Sequence, residues 1–186
     1  GKSTLINALA GRVIAKTGNA PAVTKLQQRI AIGKNVVLLD TPGMLWPNLE
    51  NQPSAYRLAA TGAIKDTAIS HDDIAWYLLD YLAKTYPNLL QSRFHLVDLS
   101  LNGQELLESI GRKRGCIVSG GRVDHDKTAK IVLNELRSGG LGRVSLETPD
   151  MMQQELVQVA INRQIKADKK RGLPPKSSSN NSSTTC

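Results

Sequence analysis

Gly1-Lys2-Ser3-Thr4 has the residue types of the closing half of a phosphate-binding loop, the G-K-[ST] of G-x-x-x-x-G-K-[ST]. Each type has a task there. Glycine lets the backbone come close enough to aim N–H groups at phosphate oxygens, lysine sets a cation on the β and γ oxygens, and the serine hydroxyl suits Mg²⁺. Residues 5–11 read as a short helix stopped by Gly11, and its amino end favours an anion. The first half of the motif and its feeding strand are expected upstream of Gly1, so the chain reads as beginning inside its own site.

A second constellation follows. Arg29-Ile30-Ala31-Ile32 alternates as a strand, Gly33-Lys34-Asn35 makes a turn, and Val36-Val37-Leu38-Leu39 reads as a buried strand. That strand delivers Asp40-Thr41-Pro42-Gly43. An aspartate at the carboxyl end of an apolar strand, then x-x-Gly, is how a P-loop GTPase reaches Mg²⁺ and the γ-phosphate. Thr24, in the loop between the two halves, is placed to complete the metal shell. Met44 stands where many GTPases carry the glutamine that orients the attacking water, and a thioether cannot do that. An N/T-K-x-D segment for reading guanine is missing downstream. Ile165-Lys166-Ala167-Asp168 lacks the asparagine and closes a helix, so it is a chance match. The base reader is therefore absent or lies upstream, which would make the motif order permuted. An ATPase of conventional order and a non-catalytic RNA-binding module with an incomplete nucleotide site both remain open here.

The elements around these motifs change character beyond Pro47, where helical periodicity replaces strands. Residues 54–64 suit a helix. Ser70 with Asp73 resembles a capping box, followed by one apolar face of Ile74, Tyr77, Leu78, Tyr81 and Leu82 that Tyr86-Pro87 should end. Leu106, Leu107 and Ile110 mark a further helix. Ala129, Val132, Leu133 and Leu136 mark another, closed by Ser138-Gly139-Gly140, and Asp150 is expected to cap a last one over 151–165. The division expected is 1–50 for nucleotide chemistry, 51–165 for a helical RNA- or ribosome-binding domain, and 166–186 for a disordered basic and Ser/Asn-rich tail.

Composition narrows the partners. The 186 residues are 40% hydrophobic and 4% aromatic, with a formal net charge of +8, which favours a polyanion. From Arg112 to Lys176 there are fourteen Lys and Arg against seven Asp and Glu, densest at Arg112-Lys113-Arg114 and Lys169-Lys170-Arg171, a pattern suited to RNA phosphates. Cys116 and Cys186 are too few and too distant for a disulfide framework or zinc site. No apolar run reaches the length of a membrane span, and no secretory signal is visible.

GKSTLINALAGR, AKTGNAPAVTKLQQ and LLDTPGMLWP together resemble the YlqF/RbgA family of circularly permuted ribosome-assembly GTPases. AYRLAATGAIKD and GRKRGC…GGRVDHDKTAKIVLNELRSGGLGR resemble that family's C-terminal helical domain, so the likeness covers roughly residues 1–165. It implies a partial, permuted α/β P-loop GTPase domain followed by an all-α helical bundle. It also implies GTP hydrolysis with Mg²⁺ and late maturation of the large ribosomal subunit through its rRNA, by a cytoplasmic monomer. Carried onto this chain, Gly1, Lys2, Ser3, Thr4 and Gly43 would bind the nucleotide, and Ser3, Thr24 and Asp40 the metal. The catalytic group, a histidine near the family's N-terminus, is expected upstream of residue 1, and the piece that begins at Gly1 is expected to be inactive alone. His71, His95 and His125 are read as surface or capping residues.

Overall fold

The computed structural model describes residues 2–14, 27–32, 36–40, 49–64 and 69–171. Residues 1–144 form one compact unit and 145–186 a second. The first element is α1 (Lys2–Ala10), followed by an antiparallel pair, β1 (Gln28–Ile32) and β2 (Val36–Asp40). In their register Ile30 faces Leu38 and Arg29 faces Leu39. Ile6 of α1 and Ile30 of β1 are both buried, with Ile14 and Leu38 packed against them. The helix therefore covers one face of the ribbon.

β2 corrects one expectation. Its continuous apolar run reads as a strand buried on both faces, yet Val36, Val37 and Leu39 are 58%, 51% and 54% exposed and Leu38 is half-buried. Alternation accounts for Val37 and Leu39, and Val36 stands at the strand's start. Leu38 points to the α1 side, while Val37 and Leu39 point to the opposite face, which no described element covers.

Five helices follow within the first unit: α2 (Gln52–Ala60), α3 (His71–Thr85), α4 (Pro87–Phe94), α5 (Gly103–Lys113) and α6 (His125–Arg137). α3 touches all four of the others. At its start the Ser70 hydroxyl accepts from the Asp73 N–H at 3.2 Å, the Ser70 half of the capping box that the sequence suggests. Its buried set is Ile74, Ala75, Leu78, Leu79 and Leu82, while Tyr77 and Tyr81 are half-buried. The burial is wider than a single stripe because neighbours approach from several sides. Around it lie Leu90 and Phe94 of α4, Leu106, Leu107 and Ile110 of α5, and Ala129, Val132 and Leu133 of α6, all buried. Each fully buried leucine or isoleucine contributes about 1.5–3 kcal/mol.

Pro87 does not end helical structure. It stops α3 and then occupies the first turn of α4, where its missing N–H costs nothing. α5 opens with a complete capping box: Asn102 accepts from the Glu105 N–H and the Glu105 carboxylate accepts from the Asn102 N–H, both at 3.0 Å. Gly103 sits there against α3, its N–H donating to Asp80 at 2.7 Å, and a Cβ at Gly103 would lie 2.2 Å from the Trp76 carbonyl oxygen. Only glycine allows that approach. Arginine side chains make two of the long-range contacts that tie α6 to the rest. Arg137 donates to the Ala59 and Ala60 carbonyls at 2.8 and 3.0 Å, ending α2, and Arg93 grips Glu135 through two bonds of 2.7 and 2.5 Å.

The second unit carries α7 (Pro149–Lys170), in which no residue is buried. Its cap is Thr148, accepting from the Met151 N–H at 3.3 Å, and not Asp150, which falls in the first turn after Pro149. A proline fits the first helical position, so the cap moves one residue upstream of it. The helix runs past Ile165 to Lys170, taking in the first residues of the expected tail, and 172–186 lie outside the described residues.

Two outcomes test this packing. Gly103→Ala should destabilise the protein by roughly 1–3 kcal/mol, read as a lower denaturant midpoint, and an unchanged midpoint would contradict the close approach. Hydrogen bonding and charge from Arg93 hold the Glu135 carboxyl below its ordinary 4.5. A depressed carboxylate contributes stability above its unfolded value and loses it as pH falls through its folded one. Glu135→Gln should therefore melt below the parent at pH 7, and the two curves should converge as pH drops below 4.5. A gap that stays constant with pH would contradict the pairing.

Candidate functional site

Lys2 and Ser3 lie in the first turn of α1, and Thr4 follows, exposed. First-turn N–H groups have no acceptor within their own helix and carry the positive end of its dipole, so phosphate-binding residue types stand at the end that suits them. Asp40 is the last residue of β2, opposite Gln28. The two motifs are thus borne by elements that share one apolar cluster, through Ile6, Ile30 and Leu38. Asn7 supports this corner in a way that residue type did not signal: its side-chain oxygen accepts from the Ile14 N–H at 2.9 Å, fastening the chain that leaves α1. Gly1, Thr24, Gly43 and Met44 lie outside the described residues.

The basic triplet at the end of α5 divides by role. Lys113 donates to the His95 carbonyl. Arg114 donates to the Arg93 carbonyl at 3.3 Å, with its guanidinium 5.6 Å from the centroid of Phe94. His95 has the left-handed φ of 54° at the end of α4, where carbonyls lose their helical partners. Lys113 and Arg114 therefore help finish α4, while both side chains remain exposed. Arg112 is held by Glu108 one turn earlier, at 2.7 Å. On α7, Lys166, Lys169 and Lys170 are exposed.

The amino ends of α3 and α6 meet in a titratable cluster. His71 Nδ1 lies 2.9 Å from Asp126 Oδ1, and Lys130 donates to the other oxygen at 2.5 Å. The Lys130 hydrogen bond, then that of His71, holds the Asp126 carboxyl below the usual carboxylate range. Burial pushes neighbouring Asp72 up, partly offset by His125, and Asp72 Oδ1 is buried without a hydrogen bond among the described residues. This clamp joins two helices, and His71 has a side-chain partner that its sequence context did not reveal. Among the described residues no helix is long and apolar enough to cross a membrane.

A profile of the 50S ribosome-binding GTPase family matches residues 1–111. Ribosome biogenesis GTPase A of Bacillus cereus is 51% identical over 150 residues, which is 81% of this chain and 51% of that protein. The protein of the same description from Priestia megaterium is 47% identical over 156 residues, 84% of this chain and 54% of its own length. A crystal structure of GNP-bound YlqF from T. maritima superposes with a TM-score of 0.52 at 27% identity, over 81% of this chain and 56% of that one. The chain spans about half the length of the curated relatives it matches.

Proposed function

This chain belongs to the YlqF/RbgA family of 50S ribosome-binding GTPases, and from that membership we propose that it serves to bind and hydrolyse GTP in late assembly of the large ribosomal subunit. One observation carries the reading: G-K-S-T opens α1, D-T-P-G begins at the end of β2, and Ile6 packs on Ile30 between them. Lys2 would meet the β and γ phosphate oxygens, beside the N–H groups that Gly1, Ser3 and Thr4 add at the helix end. Gly43 would offer its N–H to the γ-phosphate. Ser3, Thr24 and Asp40 would hold Mg²⁺, since hydroxyl and carboxylate oxygens are the hard donors it takes. When bound, that ion neutralises charge gathering on the phosphate oxygens. Met44 has no donor with which to orient water, so the proposal places the catalytic group elsewhere in the full-length protein. The apolar side chains that β2 leaves exposed suit burial in the larger sheet of an α/β nucleotide domain.

The helical region 51–165 is proposed to bind rRNA, with the cations not spent on helix ends neutralising phosphates. A partial and permuted nucleotide domain joined to such a helical domain, acting as a monomer in the cytoplasm, completes the reading. A second reading, a non-catalytic rRNA-binding module, is favoured by the core around α3, which contains no residue of either nucleotide motif.

Substitutions in the full-length protein separate these readings. Lys2→Ala should weaken GTP binding at least about tenfold, because the charge-assisted bonds it removes are worth roughly 1.5–3 kcal/mol. Asp40→Ala should retain nucleotide binding better while losing Mg²⁺-dependent hydrolysis. Parent-like turnover in both variants, or no GTP hydrolysis by the parent, would overturn the catalytic reading.

A further inference from the structure

A cavity of about 430 Å³ opens between α5, the segment that follows it and the first residue of α6. The sequence builds its wall as a miniature hairpin. Cys116, buried, donates its N–H to the Gly111 carbonyl at 2.8 Å and accepts from the Asp124 N–H at 2.8 Å, pinning both ends of the loop to the helix. Ile117 bridges Val123, the Val118 N–H donates to the Arg122 carbonyl at 2.9 Å, and Gly120-Gly121 turn the chain at φ of 85° and 73°. A side chain at either glycine would be strained in that conformation. The loop is thus held by its own hydrogen bonds and is no slack connection.

The lining has a definite chemistry. Arg112 and Arg122 bring two guanidinium groups, His125 adds a ring nitrogen pair, and Val118 and Val123 supply apolar surface. Glu108 also lines the cavity, but its carboxylate is engaged by Arg112 from the next turn of the same helix. That pairing steadies Arg112 while leaving it further N–H donors. Gly121 presents bare backbone at the rim, with nothing within 4 Å of where a Cβ would sit. These are not the cations that finish α4: Lys113 and Arg114 are committed to carbonyls there. Two planar forks suit a phosphate, the valines suit the face of a base, and the imidazole suits its edge.

We propose that this cavity receives one unpaired nucleotide of single-stranded RNA, its phosphate on Arg112 and Arg122 and its base against Val118 and Val123 with an edge at His125. The inference rests on the RNA-binding reading above and narrows it to a strand type and a subsite. Concavity decides the strand type. The wide, shallow groove of an A-form duplex keeps its bases stacked, and only an unpaired base can turn into a pocket. Stacking and phosphate contact of this sort tolerate many sequences, so the site selects for single-strandedness more than for a base.

Fluorescence anisotropy of the full chain with a labelled ten-nucleotide single-stranded RNA, and with the same strand fully paired, tests the proposal. The single strand should bind more tightly. Arg122→Glu should weaken that binding about tenfold or more, and Arg122→Ala should reduce the slope of log affinity against log salt by about one. Arg122 is exposed, and unchanged thermal melts of both variants would confirm that they fold. Equal binding of the two RNAs, or parent-like affinity and salt slope in the variants, would overturn the site. Sedimentation of the same proteins with large ribosomal subunits separates the two levels. If the parent binds subunits and the Arg122 variants bind the single strand like the parent, the cavity proposal falls and the broader reading stands. If the parent shows Arg122-dependent single-strand binding but does not sediment with subunits, the cavity stands and the large-subunit reading falls. If the parent binds neither, both fall.

Discussion

α3 can be buried on several sides only because its neighbours come close enough to exclude water, and one such close approach is at Gly103. There the backbone of α5 lies against the Trp76 carbonyl of α3, within a distance that leaves no room for a side chain. The consequences spread outward. With α5 seated, Leu106, Leu107 and Ile110 reach the core and Cys116 is buried at the root of the small hairpin. The placement of Arg112 and Arg122 around one cavity therefore depends on a contact made by two backbones, with the Gly103 N–H held by the Asp80 carboxylate. Interiors packed to crystal-like density transmit such constraints because they cannot deform gradually.

The polar contacts follow the same logic. Each helix end in this unit must satisfy groups that have no partner within the helix, and the chain uses its long cations for that work. Arg137 closes α2, and Lys113 and Arg114 close α4. The net charge of +8 thus includes cations that also satisfy helix ends.

This is also where the sequence was least legible. Residue types and spacing placed Lys2 at the start of a helix, Asp40 at the end of a strand and the apolar face on α3, because glycine, lysine and a 3.6-residue period each have a local physical meaning. The Ser70 cap was legible for the same reason. Proline was ambiguous, since Pro87 both stops one helix and suits the first turn of the next, and α4 was hidden by that double role. The cap of α7 was assigned to Asp150 because an aspartate before an apolar run is the commoner signal, although Pro149 placed Thr148 there. The division of Arg112, Lys113 and Arg114 could not be read at all. It depends on which carbonyls α4 leaves near them, a fact of tertiary structure. The exposure of Val37 and Leu39 was equally hidden, because an apolar run states that a strand is to be covered without saying by what.

The nucleotide motifs and the helical core lie close along the chain, with α2 beginning at Gln52 soon after Asp40. We propose that the helical region anchors the protein on rRNA and that loss of the γ-phosphate signals release, because Thr24 and the Asp40 motif would be ordered by GTP and freed on hydrolysis. Co-sedimentation of the full-length protein with large ribosomal subunits, in a non-hydrolysable GTP analogue and in GDP, tests that claim most directly. The account predicts firm retention with the analogue and weaker retention with GDP. Equal retention in the two states, or none in either, would contradict it.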